Sequence, residues 1–274
     1  DSAKIKSRSR TMLDRHGNEI SEEKLMSDAG YSVSGGGTDE PVTAEEIYTR
    51  PNGERYYPRD WGDKLDVEVL EKARSKGMYA FLYGPPGTGK TAMAEALWKE
   101  ELVTLVFSGD TEVSDMVGSY VPAASGAGFM WVDGPLLRAV REGRPFLADE
   151  VGLASPVVLA VLYPLMDGRG ELHVTSNPEI GVVKAEEGFY VVGATNPNAP
   201  GVRMSEALLS RFALHVEVGT DMVLALKLGV PNDMVKIAET LNQQMNRGEI
   251  SWAPQMRELL RFRDIKREFG QAFA

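Results

Sequence analysis

The chain has 274 residues, of which 43% are hydrophobic and 26% are charged. This length and balance are typical of a globular chain that buries a core, with room for one α/β domain and a smaller second unit. The sequence contains no apolar run that approaches the length of a bilayer crossing, and the charged start DSAKIKSRSR is followed by no hydrophobic segment. We therefore expect a cytoplasmic protein with no membrane span and no secretory signal.

The residue counts also limit the chemistry of the chain. It contains no cysteine and only three histidines, which excludes disulfides, thiolate zinc sites and a cysteine nucleophile and argues against a histidine-rich metal site. The formal net charge of −10 opposes nonspecific binding to a nucleic-acid backbone over the whole surface. A locally basic pore is compatible with that charge, so nucleic acid is disfavoured as a partner but stays open.

The pattern along the chain divides it into three regions. Residues 1–63 are polar and rich in turn-forming residues, which predicts an N-terminal arm or linker. Residues 64–219 alternate helical segments with the short apolar runs MYAFLY, LVTLVF, RPFLAD, FYVVGA and ALHVEV. This alternation predicts an α/β core with a parallel five-stranded sheet and helices on both faces. Residues 220–274 are helical in pattern, with Thr220 as the predicted first cap, and are predicted to form a small all-α lid.

A glycine-rich loop follows the first apolar run of the predicted sheet. The stretch GPPGTGKT fits the P-loop pattern G-x-x-x-x-G-K-[ST] between a strand and a helix. Backbone N–H groups of such a loop surround phosphates, the lysine reaches the outer phosphates, and the hydroxyl ligates magnesium. We therefore predict a P-loop NTPase that binds ATP and Mg²⁺, with Lys90 also acting in catalysis and Thr91 as a metal ligand. The predicted nucleotide-binding residues of the loop are Gly84, Pro85, Pro86, Gly87, Thr88, Gly89, Lys90, Thr91 and Ala92.

Two adjacent carboxylates, Asp149 and Glu150, end the third apolar run. The carboxyl ends of parallel strands face the ligand crevice, so we predict that Asp149 binds magnesium and that Glu150 polarises the attacking water. A positioned general base contributes roughly 10²–10⁴ in rate. An acidic pair at a strand end is weak evidence by itself, since such pairs are often simply solvated. Its place after the phosphate-binding loop favours the catalytic interpretation.

Two further side chains accompany the later apolar runs. Asn196 follows FYVVGA, where its amide would orient the attacking water or contact the terminal phosphate. The alternative is an asparagine that makes a turn before Pro197. Arg211 stands just before ALHVEV, and it either makes a surface ion pair of little energetic value or reaches the nucleotide of a neighbouring subunit as an arginine finger. Its place in the series of motifs favours the finger.

A phosphate-binding loop, an acidic pair, an asparagine, an arginine before the last strand and a helical lid, in this order, resemble the AAA+ ATPases. Within that class, the run WVDGPLLRAVREG from Trp131, with PLMDGRGELHV and ATNPN after it, resembles the MoxR family and especially its NorQ and CbbQ-type members. The resemblance covers about residues 64–270 and leaves the N-terminal arm outside. The sequence departs from the family pattern at Gly152, where many MoxR-type proteins have an asparagine.

The resemblance implies two projecting segments. Residues near 115–133 would form an insert in the second core helix, and residues 171–190 would form a hairpin before the fourth strand. Both segments face the central pore of a ring in such ATPases. Gly118 and Tyr120 are then candidates for contact with a client protein, although a surface loop explains their composition equally well.

The resemblance also implies roles for arginines outside the core motifs. Arg211 matches the finger. In the lid, Arg257 matches a second sensor that binds the nucleotide, with Arg261 and Arg263 as competitors on the same helix and a solvated helical face as the alternative. In the N-terminal arm, Tyr57 and its neighbours are weaker candidates for residues that border the adenine.

Together, the motifs and the resemblance predict a Mg²⁺-dependent ATPase whose sites lie between the subunits of a homo-oligomeric ring, expected to be a hexamer. Hydrolysis would remodel or mature a partner, as a MoxR-like chaperone does, and the implied partner is a von Willebrand factor A domain protein or another client protein. Two alternatives stay open. One is a nucleic-acid-stimulated NTPase motor related to restriction-type GTPases or helicases. The other is a non-hydrolysing nucleotide-gated assembly module, which Glu150, Asn196 and Arg211 disfavour.

Overall fold

The computed structural model describes residues 12–13, 19–20, 47–124, 126 and 128–270. The chain divides into two compact units, residues 1–43 and residues 44–274. The described part of the first unit is a short antiparallel pair, Met12–Leu13 with Glu19–Ile20. Most of the predicted N-terminal arm therefore lies outside the described residues.

A five-stranded parallel sheet forms the centre of the second unit. Its strands are β1 (Ala80–Tyr83), β2 (Val103–Val106), β3 (Pro145–Asp149), β4 (Tyr190–Thr195) and β5 (Leu214–Glu217). They pair in the order β5-β1-β4-β3-β2, and every pair is parallel. The five predicted apolar runs are these five strands, which confirms the predicted α/β fold class.

Helices cover both faces of the sheet. The long helices of this region are α1 (Asp66–Ser75), α2 (Lys90–Trp98) and α3 (Pro135–Glu142). Successive strand side chains point to opposite faces, so the buried Phe81 and Leu82 belong to two different apolar clusters. The cluster around Phe81 takes in α3, and the cluster around Leu82 takes in α1 and α2.

Three more helices follow the sheet and have an apolar cluster of their own. They are α4 (Met222–Lys227), α5 (Asn232–Asn246) and α6 (Met256–Phe269). Their shared cluster is centred on Ala225, Val235 and Leu259. Among the described residues, no helix has the length and apolar character that a membrane crossing needs.

The cap of α4 differs from the prediction. Asp221, and not Thr220, caps the helix, because the Asp221 carboxylate accepts a hydrogen bond of 2.8 Å from the backbone N–H of Leu224. The Thr220 hydroxyl instead donates to the side chain of Gln255 at 2.6 Å. Both residues have capping side chains, so the sequence alone does not decide between neighbours.

Two antiparallel hairpins extend from the core. The first hairpin pairs Gly118–Pro122 with Phe129–Asp133, and the second pairs Glu171–Val174 with Gly181–Lys184. Gly118 opens the first hairpin at a φ of 127°, where a Cβ atom would lie 2.4 Å from the carbonyl oxygen of Val132. The hairpins fall in the two segments that the resemblance singled out. The unit also contains the short helices Val113–Val117, Pro156–Leu159, Tyr163–Met166 and Glu206–Leu209.

The compact unit begins earlier than the predicted core. Two small strand pairs, Tyr48–Thr49 with Arg55–Tyr56 and Asp60–Trp61 with Lys64–Leu65, precede α1. The Tyr56 ring is buried in the cluster of α1 and α2. Turn-rich composition predicted an arm here, but Tyr56 attaches this stretch to the core.

Candidate nucleotide-binding site

The phosphate-binding loop, residues 84–91, connects β1 to α2. Gly84, Gly87 and Gly89 have φ values of 147°, 80° and 95°, a backbone region that side chains disfavour. A Cβ atom on Gly84 would also lie 2.4 Å from the carbonyl oxygen of Val218. The glycines thus allow a tight loop that opens directly into α2, whose N-terminus attracts anions.

Lys90 is buried at the start of α2, with 6% of its surface exposed. Its ammonium group donates to the carbonyl oxygens of Gly84 and Pro85, both at 2.8 Å. An ammonium has three donors, so one remains for a phosphate oxygen. Burial lowers the pKa of Lys90, and the negative charges of Glu150 and Asp149 oppose this shift. A phosphate in the loop would favour the charged amine in the same way.

The strand end of β3 meets the start of α2 at the predicted metal ligands. The Thr91 hydroxyl donates to Oδ2 of Asp149 at 2.8 Å, and Oδ1 of Asp149 accepts from the backbone N–H of Glu150 at 3.0 Å. One carboxylate and one hydroxyl fit Mg²⁺, which usually keeps several waters and shares the phosphates of its nucleotide. Within the described ranges, no group of three or more acidic or histidine side chains forms a fuller metal site.

Glu150 has a left-handed backbone, with φ 52° and ψ 34°. This conformation costs a side-chain-bearing residue roughly 1–2 kcal/mol. The Glu150 carboxylate accepts a hydrogen bond of 3.4 Å from the backbone N–H of Asn196, at the end of the neighbouring β4. Strain of this kind concentrates at functional sites, where the surrounding structure holds it.

Asn196 also makes the turn that was its alternative interpretation. Its Oδ1 accepts from the backbone N–H of Asn198 at 3.2 Å. The turn therefore holds the amide oxygen of Asn196, whereas the bond to Glu150 comes from the backbone of Asn196. The turn interpretation is confirmed, and contact of the amide with water or phosphate stays a prediction.

Of the three candidate arginines in the lid, Arg257 is the one against the phosphate-binding loop. Its backbone N–H donates to the carbonyl oxygen of Gly87 at 3.1 Å, and a Cβ atom on Gly87 would lie 3.1 Å from its own Cβ. Arg263 instead donates to the carbonyl oxygen of Leu228 at 2.7 Å, just after α4. Arg261 is exposed on α6.

Arg211 lies elsewhere. Its guanidinium carbon is 4.2 Å from the centre of the Tyr163 ring, and it donates to the carbonyl oxygen of Ala207. Within the part of the chain that the structure describes, its buried Nε has no hydrogen-bond partner, and no hydrogen bond or ion pair joins it to the phosphate-binding loop. The structure thus does not bring Arg211 to the site of its own chain.

The other predicted loop residues support the loop itself. Thr88 is buried, and its hydroxyl donates to the carbonyl oxygen of Pro85 at 3.0 Å. Pro86 lies between Pro85 and Gly87 in the turn. Ala92 is on α2 and packs against the apolar cluster of α1 and α2.

A site residue that the sequence did not reveal is Arg59. It is 7% exposed and donates to the carbonyl oxygen of Thr88, inside the phosphate-binding loop. Its other terminal nitrogen donates to Gly219, 3.3 Å away. The stretch YYPRDW reads as part of a polar arm, and no motif marks the arginine in it.

The structure also gives a physical reason for the glycine at position 152. A Cβ atom there would lie 2.7 Å from Cγ1 of Val202 and 2.8 Å from the hydroxyl of Thr195. The asparagine that is common here in MoxR-type proteins has no room in this chain. Gly152 is two residues after Glu150, so its packing against Val202 and Thr195 belongs to the segment that follows the acidic pair.

Comparison with known proteins gives the class. Residues 80–212 match the AAA domain (dynein-related subfamily). The denitrification regulatory protein NirQ of Stutzerimonas stutzeri is 36% identical over 163 residues, which are 57% of this chain and 56% of NirQ. Protein NorQ of Paracoccus denitrificans is 37% identical over 135 residues, 48% of each chain. Midasin of Giardia intestinalis is 40% identical over 138 residues, which are 48% of this chain and 3% of midasin.

These matches confirm that the chain carries an AAA domain, the domain of the AAA ATPases. The similarity to NirQ and NorQ supports the predicted place beside the NorQ-type members of the MoxR family. The chain spans about half the length of these two relatives.

Proposed function

We propose that the chain is a Mg²⁺-dependent ATPase that works as a subunit of a homo-oligomeric ring. The observation that carries this proposal is the contact of Thr91 with Asp149 at 2.8 Å, with Glu150 next in the chain and hydrogen-bonded to Asn196. A hydroxyl, a metal-binding carboxylate and a second carboxylate meet at the mouth of a phosphate-binding loop. The AAA match and the NorQ similarity agree with this activity.

Each residue has a role in the proposed hydrolysis. Lys90 and the backbone N–H groups of the loop hold the phosphates, and Mg²⁺ bound at Thr91 and Asp149 would neutralise phosphate charge. Glu150 accepts hydrogen bonds from the attacking water and orients it toward the terminal phosphate, and Asn196 fixes Glu150 and the water at the sheet edge.

The rest of the site would lie on a second subunit. Arg211 would reach the nucleotide of a neighbour as a finger that stabilises charge in the transition state. Its position on Tyr163, with Nε unpartnered among the described residues, leaves this side chain without a role at its own loop. We propose a hexamer, in which each site is completed in this way.

The proposed output is mechanical. The working units are a core of residues 64–219 and a lid of residues 220–274, and the contact of Arg257 with Gly87 joins them at the loop. Differences between ATP and ADP at this contact would shift the lid, move the two hairpins and remodel a client. We propose that the ATPase is cytoplasmic and that a von Willebrand factor A domain protein is the first client to test. NirQ is named a denitrification regulatory protein, which agrees with action on another protein.

The test is steady-state hydrolysis of ATP and GTP with Mg²⁺, measured against protein concentration, with and without added nucleic acid. We expect a preference for ATP and a specific activity that rises cooperatively as subunits assemble. Lys90→Met should abolish turnover, whereas Lys72→Met, at an exposed site on α1, should not.

Other results would select the alternatives. Strong stimulation by nucleic acid would favour the motor. ATP binding without hydrolysis at any concentration would favour the nucleotide-gated assembly module.

A further inference from the structure

A buried arginine outside the phosphate-binding loop connects that loop to the lid. Arg59 donates from one terminal nitrogen to the carbonyl oxygen of Thr88 and from the other to that of Gly219, at 3.3 Å. Thr88 lies inside the loop, and Gly219 lies between β5 and α4. The planar guanidinium therefore spans the nucleotide-binding loop and the entry to the lid.

A second set of hydrogen bonds joins the start of the lid to α6, and α6 to the phosphate-binding loop. The Thr220 hydroxyl donates to Oε1 of Gln255 at 2.6 Å and accepts from the backbone N–H of Met256 at 3.2 Å. This ties the entry to the lid to the first turn of α6. In the same turn, Arg257 returns to the loop through the carbonyl oxygen of Gly87. The loop is thus linked to the start of the lid through Arg59 and Gly219, and to α6 directly through Gly87 and Arg257.

Burying this cation is costly, which indicates that its contacts matter. Arg59 is 7% exposed, and its Nε has no partner within the described ranges. An apolar side chain of similar volume would avoid the desolvation cost of the cation. The fully buried Asp66 lies nearby: burial raises the pKa of its carboxyl, and the hydrogen bond from Tyr56 and the charge of Arg59 oppose that rise. The Tyr56 hydroxyl donates to the same carboxylate.

We infer that Arg59 is a positioning residue that couples the phosphate-binding loop to the lid. The inference rests on the proposed function, because the coupling matters for an ATPase whose lid moves. Arg59 lies so close to the loop that a Cβ atom on Gly89 would be 2.9 Å from its Nη2. A shift of the Thr88–Gly89 backbone on phosphate binding therefore moves the guanidinium, and its second nitrogen carries the movement to Gly219. A lysine is a point charge and does not reproduce a two-ended fork.

The test measures lid position directly. The chain has no cysteine, so Ser75→Cys on α1 and Asn246→Cys on α5, both exposed, provide two specific positions for spin labels. Distances between the labels are measured by double electron–electron resonance without nucleotide and with a saturating non-hydrolysable ATP analogue. The variants are Arg59→Gln and, as a matched control, Arg55→Gln, which removes an exposed arginine of the same segment.

We expect the labelled parent protein, which keeps Arg59, to give a narrow distribution of label distances that shifts when the analogue binds. In Arg59→Gln the distribution should be broader without nucleotide and should not shift at saturation. Its kcat should fall about 10- to 100-fold, the usual effect of a small misplacement in an active site, with a much smaller change in KM. Arg55→Gln should match the parent in every measurement. A normal distance shift in Arg59→Gln, or a loss limited to KM, would overturn the inference.

Two features keep the test decisive. If Arg59→Gln does not fold, Arg59→Lys keeps the buried charge without the fork and should show the same broad, unresponsive distribution; a parental distribution in Arg59→Lys would overturn the inference. The measurement without nucleotide does not depend on hydrolysis. An Arg59-dependent lid in a protein with no turnover would therefore count against the proposed function and not against the coupling.

Discussion

Within the described part of one chain, the acidic pair Asp149 and Glu150 has hydrogen-bond partners from other parts of the candidate site, whereas Arg211 has none there. At the ends of β3 and β4, Glu150 is hydrogen-bonded to Asn196, and Asp149 is hydrogen-bonded to Thr91. Arg211 instead packs on Tyr163 and keeps a buried nitrogen without a partner among the described residues. The difference indicates that one chain brings Asp149, Glu150 and Asn196 together without Arg211, which agrees with the proposal that a neighbouring subunit supplies the arginine.

The largest expected effect concerns Arg211, the residue that the proposed ring would place at a neighbour's nucleotide. Arg211→Ala should lower ATP turnover by about 10³–10⁵, the range seen for arginine fingers, with little change in ATP affinity measured by fluorescent nucleotide titration. Arg203→Ala, at an exposed position, is the matched control and should be active. If Arg211→Ala keeps its turnover, the arginine only packs on Tyr163 and the comparison fails.

The next effect tests the residues that one chain brings together. Glu150→Gln should lower turnover by roughly 10²–10⁴, because an amide does not accept a proton from water, and ATP binding should be unchanged. The exposed Glu187→Gln is the control. Mixing Glu150→Gln subunits with Arg211→Ala subunits should restore some activity, since mixed interfaces combine an intact Glu150 with an intact Arg211. Two inactive variants that stay inactive when mixed would argue against a shared site.

The fold and the residues that one chain brings together were accessible from the sequence because both depend on local patterns. Apolar runs between helices predict parallel strands, and Asp149, Glu150 and Asn196 lie where two of those strands end. Arg59 was missed because its acceptors, Thr88 and Gly219, are 29 and 160 residues away in the chain.

Two other differences have different causes. The predicted cap of α4 was wrong by one residue. Thr220 and Asp221 both have capping side chains, and the helix begins at Met222, so Asp221 is the cap. The structure of one chain does not test the predicted role of Arg211, since the resemblance implies that this arginine reaches the nucleotide of a neighbouring subunit.

A moderate effect on stability is expected from a substitution at Gly152, two residues after Glu150. Gly152→Asn should lower the free energy of unfolding by about 1–3 kcal/mol, the usual cost of overpacking, because its Cβ would collide with Val202 and Thr195. The ATP turnover of Gly152→Asn should also fall, since Glu150 is only two residues away in the chain. Gly109→Ala is the matched control, because nothing lies within 4 Å of a Cβ there. Urea denaturation measures both variants. An unchanged unfolding free energy in Gly152→Asn would mean that this segment is less tightly packed than the structure shows.

The smallest effect tests whether strain accompanies the function of Glu150. Its φ of 52° is one that glycine adopts freely and alanine does not. Glu150→Gly should therefore be more stable to urea than Glu150→Ala by about 1 kcal/mol, although neither variant hydrolyses ATP. Lys99, the other non-glycine residue with positive φ among those described, is the control: Lys99→Gly should exceed Lys99→Ala in stability by a similar amount while both keep their turnover. Equal stability of the two Glu150 variants would show that the carboxylate is held without strain. If the expected order is found, the backbone at Glu150 is strained at the residue proposed to orient water, whereas the group of Arg211 that has no partner among the described residues is a side-chain nitrogen.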